Sequence, residues 1–245
     1  MVSLDITRSL LNPDPSVEYV CRANLNLYDS DQCDRLATQA RSGRHLRIVS
    51  RSLTDGGATA IQVCLCEDDY PGWLLPGDLE YLIPASEPYQ PKLLDRAAIE
   101  PRLPQVMTFA NEAMHQPNFY LWGGTVGPNY DCSGLVQAAF TSVGVWVPRD
   151  AYQQEAFTQS IALPEIRPGD LIFFGPPDKA THVGLCLTAD SYIHSSGTAQ
   201  GRNGIGIDFL TTEGDAVSRA YYAQVRGAGR VIKSYQPIGG SNSST

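Results

Sequence analysis

Residues 130–140, YDCSGLVQAAF, set a cysteine where a helix should begin, and this does most to restrict what the chain can become. Leu135, Val136, Ala139 and Phe140 recur at helical spacing, and Asp131 is of the type that caps helix N-termini. Cys132 then falls at about the first helical position. Unpaired backbone N–H groups and the positive end of the helix dipole favour a thiolate there. Given a basic partner, such placement lowers a cysteine pKa from about 8.5 to roughly 3.5–7.5. Two readings stand at this point: an ionised nucleophile, or a small core cysteine beneath a helix, where unpaired cysteines commonly sit.

The flanking segments bear on the choice. QVMTFANEAMHQ predicts a helix with Val106, Phe109, Ala110, Ala113 and Met114 near one another on its wheel, and DAYQQEAF a second, short helix. His115 ends the first of these, where a histidine suits the charge and capping of a C-terminus, so it takes a structural role. RPGDLIFFG reads as a turn feeding a strand, THVGLCLTADSYIHSSG as two strands, and AYYAQVRGAGRVI as the last sheet segment. Helices first and strands after predict an α+β domain, an antiparallel sheet carrying helices on one side. Strand alternation puts His182, Gly184 and Cys186 on one face, and Tyr192 and His194 on one face of the next strand. Two neighbouring strands can thus present both imidazoles to the cysteine helix. Nucleophilic cysteine chemistry needs such a set: one histidine to take the thiol proton and return it to the leaving amine, and a polar group to orient that histidine. Cys132, His182 and His194 supply the three.

Residues 18–86 read differently. EYVCRANLNLYDS, HLRIVSRS and ATAIQVCLCEDDYPGWLLP are short β-type runs broken by turn residues, which predicts a small antiparallel barrel or sandwich. CDRLATQARSG between the first two reads as a loop or one short helix. Residues 87–104 hold four of the 17 prolines and no sustained periodicity, so the linker falls there. The expected organisation is a small all-β domain over 1–86, a linker over 87–104, the α+β domain over 105–235 and a frayed tail over 236–245.

Charge and cysteine usage exclude several classes. The net charge is −8, and no run of Lys or Arg could track a phosphate backbone, so nucleic acid is not a partner; the acidic balance also disfavours membrane surfaces. The first residues lack a basic start followed by an apolar signal-length run, and no segment approaches the roughly 18 apolar residues of a membrane span. Six dispersed cysteines in a chain of this length do not suggest a disulfide framework. Cys64 and Cys66 form C-x-C without a second ligand pair, so no structural metal is expected. These features predict a cytoplasmic protein.

YLWGG, DCSGLVQ, RPGDLIFF, HVGLCL and YIHSSG, in this order, resemble the NlpC/p60 family of cysteine peptidases, and LNLYDS and DDYPGWL resemble the bacterial SH3-like domains that accompany cell-wall enzymes. The resemblance implies a papain-like fold with Cys132 as nucleophile, His182 as general acid/base and His194 as the orienting group, with no metal or cofactor. It implies cleavage between D-γ-glutamate and a diamino acid in murein peptides. The domain pairing is similar to the branch acting on peptides with a free N-terminal L-alanine, where the small domain helps wall the site. Carried over, Asp131, Ser133 and Tyr70, with Glu67 or Asp68, would meet the substrate amine, and Trp122 would line the cleft. A monomeric enzyme of murein recycling is expected, with a cell-wall amidase or acyltransferase on a related scaffold as the alternative.

Overall fold

The computed structural model describes residues 14, 16–53 and 59–238. The chain divides into two compact units, residues 1–91 with 236–245, and residues 92–235. Most of the expected tail lies outside the described residues.

The first unit is a seven-stranded antiparallel sheet. Its strands are β1 (Glu18–Cys21), β2 (Leu25–Tyr28), β3 (Leu36–Ala40), β4 (His45–Leu53), β5 (Thr59–Leu65), β6 (Pro71–Leu74) and β7 (Leu82–Pro84), in the order β3-β2-β6-β5-β4-β1-β7. The alternating residues Leu46, Ile48, Ile61, Val63 and Leu65 meet Leu27 and Leu74 in a buried core. The segment read as loop or short helix is β3. Its Leu36, Thr38 and Ala40 alternate inward, and pairing with β2, from Leu25↔Ala40 to Leu27↔Thr38, outweighs any helical preference of so short a run.

The second unit starts with a one-turn helix, Arg96–Ile99, followed by α1 (Leu103–Met114), α2 (Cys132–Thr141) and α3 (Ala151–Phe157). Strands β8 (Gln159–Ile161), β9 (Leu171–Phe174), β10 (His182–Cys186), β11 (Ser191–Ser196), β12 (Gly204–Phe209) and β13 (Val225–Arg230) form one antiparallel sheet, ordered β12-β11-β10-β9-β13-β8. A further helix, α4 (Ala216–Tyr222), precedes the last strand.

Every residue of β9, β10 and β11 is buried, so apolar material covers both faces of the sheet. On one face Phe173, Val183, Leu185 and Ile193 pack with Leu135, Val136, Ala139 and Phe140 of α2 and Val106 and Ala110 of α1. Each large apolar side chain buried there contributes about 1.5–3 kcal/mol. On the other face Ile172, Phe174, Cys186 and Tyr192 pack with Val217 and Tyr221 of α4. The helices therefore do not lie on one side only. Ala220, Tyr221 and Tyr222, read as sheet, belong to α4, capped by Asp215 through a 2.8 Å bond from Ser218 N–H. His115 ends α1, its Nδ1–H donating to the Asn111 carbonyl at 2.7 Å.

Candidate active site

Asp131 is the N-cap of α2, accepting the Gly134 N–H at 2.7 Å, and Cys132 is the first helical residue. The Leu121–Gly124 turn is drawn onto this end of the helix. Gly123 N–H donates to Asp131 Oδ2 at 2.9 Å, and Asp131 N–H donates to the Gly124 carbonyl at 3.1 Å. A Cβ on Gly134 would collide with that Gly124 carbonyl, so the DCSG glycine admits the close approach.

Arg149, in the loop after α2, is 1% exposed and had no sequence signal beyond being a lone arginine in VPRD. Its guanidinium donates to both Asp131 oxygens, at 2.6 and 3.1 Å, and to Ser133 Oγ at 2.9 Å. Ser133 Oγ in turn donates to Asp131 Oδ1 at 3.3 Å. The two Asp131 oxygens thus receive five bonds, about as many as a carboxylate accepts. In this structure Asp131 and Ser133 hold the helix start and the buried arginine, and a substrate amine would have to compete with those donors.

The helix-start argument expects a low cysteine pKa, and the environment of Cys132 acts the other way. Burial pushes the thiol up to about 12, with the Asp131 charge adding to the rise. Hydrogen bonds from the Val183 and Ser133 backbone N–H groups, and the Arg149 charge, act against it. Val183 directly follows His182, so that backbone bond ties the sulfur to the start of β10.

His182 and His194 form a chain. His182 Nε2 lies 2.6 Å from His194 Nδ1, and His194 Nε2 lies 2.6 Å from Asp208 Oδ2 on β12. The His182 ring stacks on Tyr221, with centroids 4.3 Å apart and planes 26° apart, and meets His194 edge-on. Burial, then the neighbouring His194, holds His182 well below the ordinary imidazole range. Burial also lowers His194, against the opposing pull of Asp208. Burial raises the Asp208 carboxyl, but the His194 bond and the Arg202 guanidinium outweigh it and hold it below the ordinary value. At neutral pH the resting site is a thiol, two neutral imidazoles and a carboxylate.

Beside His182 opens a cleft of about 450 Å³ lined by Tyr120, Thr181 and Tyr221 among others. Burial, and next the proximity of Cys132, raises the Tyr120 hydroxyl, which stays a neutral donor. Neither Tyr120 nor Asp208 was singled out from sequence. Trp122 is 55% exposed. Glu67, Asp68 and Tyr70 belong to the first unit. There Arg44 donates to Glu67 at 3.1 Å and to Asp68 at 2.6 Å, and Tyr70 packs against the core. Among the described residues no cluster of His, Cys, Asp and Glu is arranged to hold a metal ion.

The model of the NlpC/P60 family matches residues 118–225, and that of the bacterial dipeptidyl-peptidase Sh3 domain matches residues 27–79. The chain is similar to the gamma-D-glutamyl-L-lysine dipeptidyl-peptidase of Bacillus subtilis, 36% identical over 95 residues, 38% of this chain and 30% of that protein. It is also similar to the murein DD-endopeptidase MepS/murein LD-carboxypeptidase of Escherichia coli, 33% identical over 78 residues, 31% of this chain and 42% of that protein. The chain thus covers less than half the length of either relative. A solved NlpC/P60 family protein from Bacillus cereus aligns over 92% of this chain and 66% of that one, at 20% identity and a TM-score of 0.46. Cys132, His182, His194 and Asp208 all fall inside the first matched range, and the chain carries an NlpC/P60 family domain over residues 118–225 together with a bacterial dipeptidyl-peptidase Sh3 domain over residues 27–79.

Proposed function

We propose that the chain is a cysteine endopeptidase that cleaves the γ-D-glutamyl–diamino acid bond of murein peptides with a free N-terminal L-alanine, releasing L-Ala-D-Glu. The observation that carries the chemistry is the hydrogen-bonded run from Asp208 through His194 to His182, ending at the strand whose Val183 N–H bonds the Cys132 sulfur. Cys132 Sγ attacks the γ-carbonyl carbon while its proton passes to His182. The C=O becomes a tetrahedral oxyanion, for which the Cys132 N–H and the Tyr120 hydroxyl are donors. Collapse breaks the C–N bond, and His182 gives its proton to the departing amine, leaving a thioester on Cys132. Water, deprotonated by His182, then attacks the thioester and frees the acid and the thiol. A neutral thiol and a neutral imidazole suit this sequence, because the proton moves as the sulfur attacks.

The bond and the peptide are supported by the name of the Bacillus subtilis relative and by the Sh3 domain match. The acceptors we assign to the substrate amine are Tyr70 with Glu67 or Asp68. All six cysteines are unpaired thiols, which favours a reducing compartment and recycling of wall fragments in the cytoplasm. We assign a monomer acting on the murein peptide alone, without a cofactor.

The test is product analysis by mass spectrometry with L-Ala-γ-D-Glu-diamino acid, its N-acetylated form and a muramyl-linked form. The free-amine peptide should yield L-Ala-D-Glu, with kcat/KM exceeding that of the blocked forms by up to ~10⁴-fold, since a site built around a hydrogen-bonded group rejects an analogue lacking it. Tyr70→Phe should narrow that gap by slowing the free-amine peptide. Equal kcat/KM values would refute selection for the amine, and release of an intact stem peptide would make the chain an amidase.

A further inference from the structure

We infer that Asp208, held by Arg202 and Ser218, is a positioning residue that dictates which nitrogen of His194, and through it of His182, carries the proton. The inference deepens the peptidase reading and rests on it for its kinetic consequence only. A carboxylate can only accept. Arg202 donates through Nε to Asp208 Oδ2 at 3.1 Å and through Nη2 to Oδ1 at 2.7 Å, and Ser218 Oγ donates to Oδ1 at 3.0 Å, so Asp208 is anchored as an acceptor on both oxygens. His194 Nε2, 2.6 Å from Oδ2, must therefore carry its hydrogen.

Neutral His194 then has a bare Nδ1, which can only accept, and the 2.6 Å contact requires the hydrogen on His182 Nε2. His182 Nδ1 is left unprotonated. That is the nitrogen able to take the thiol proton, and the imidazolium so formed keeps its Nε2–H bond to His194. Each bond follows from the one before, and the first is set by Asp208.

The sequence builds this anchor with some economy of space. His194 pairs in register with Gly206, and a side chain at Gly206 would run into the Arg202 guanidinium, so Arg202 lies across bare backbone to reach Asp208 two residues on. The titratable and charged groups facing the pair come from every neighbouring element: Tyr192 on β11, Tyr221 and the cap Asp215 on α4, and Arg202 in the β11–β12 loop. Asp208 is 1% exposed, so solvent does not screen it.

The experiment is nitrogen-15 NMR of the histidine-labelled full chain at neutral pH, with His45 and His115 as internal references. The expected pattern is Nε2–H with bare Nδ1 at both His182 and His194. Nδ1–H at either, or an imidazolium at His182, overturns the inference whether or not any peptide is cleaved. In Asp208→Asn, one amide orientation faces its NH₂ toward His194 and the other toward Arg202. A mixture of tautomers should therefore appear at His182, with kcat lowered by up to ~10⁴-fold and KM held, as when an amide replaces the carboxylate that sets a catalytic histidine's tautomer. Wild-type tautomers with wild-type kcat in that variant would also overturn it. If the variant does not fold, the wild-type spectrum alone decides. If no murein peptide is cleaved by the wild type, the peptidase reading fails separately, and the rate of Cys132 alkylation replaces kcat, with Asp208→Asn expected to slow it.

Discussion

Replacing Arg149 with methionine should be among the most damaging single changes in the second unit. The guanidinium is 1% exposed and donates twice to Asp131 and once to Ser133 Oγ. Methionine fills much of the same volume but leaves the Asp131 carboxylate buried without its cationic partner, held only by the Gly123 and Gly134 N–H groups and Ser133 Oγ. Breaking a buried pair in this way costs about 3–5 kcal/mol. For a chain of this size 1 kcal/mol moves Tm by about 2–4 °C, so Arg149→Met should lower the transition by roughly 6–20 °C. Removing the charge of the partner should recover part of the loss, because Asp131→Asn in the same chain no longer strands an ion. Its two side-chain oxygens become one, so recovery is incomplete. The assay is a double-mutant cycle by urea unfolding, with an expected coupling of about 1–3 kcal/mol. Alkylation of Cys132 should also slow in Arg149→Met, because Arg149 lowers the thiol pKa and the remaining Asp131 charge raises it. A loss below 1 kcal/mol, or additive single and double variants, would refute the reading of this pair as the clamp on the helix start.

Gly134→Ala should cost about 1–3 kcal/mol by overpacking against the Gly124 carbonyl, and denaturant midpoints will show it. Stability should fall with acid in a way traceable to the histidines. His182 and His194 sit below the ordinary imidazole value, so below about pH 6.5 the unfolded chain binds more protons than the folded one. Their contribution is full above that pH and is lost as the pH drops toward the folded values. Urea titrations at pH 7.5, 6 and 5 compared with His182→Gln should show a shallower slope in the variant. The acid limb of kcat/KM should likewise lie below about pH 6.5, since His182 remains a neutral base there.

Much of the site could be read from residues alone because its chemistry sits on regular elements. Asp131 announces a cap, and strict alternation in HVGLC and SYIHSS reports which side chains share a face. Asp208 escaped because β12, GIGIDF, carries glycine at 204 and 206, and a residue without a side chain erases the alternation that marks a strand. Arg149 escaped for a different reason. Its partners lie 16 and 18 residues back, and only the loop after α2 brings them together. The resting state of Cys132 stayed open between two readings because helix position is local and legible, whereas burial beneath the sheet is a tertiary fact that outweighs the dipole. Ala220 to Tyr222 look like strand by composition, and the Asp215 cap with packing of Tyr221 under His182 makes them helix.

The central claim is a thioester on Cys132. Rapid mixing with L-Ala-γ-D-Glu-diamino acid, acid quenching and intact-protein mass spectrometry with peptide mapping address it directly. The wild type should carry an L-Ala-D-Glu acyl group on Cys132 and release L-Ala-D-Glu on standing, while Cys132→Ala, folded as judged by circular dichroism, does neither. Hydrolysis at the wild-type rate by Cys132→Ala would contradict the account.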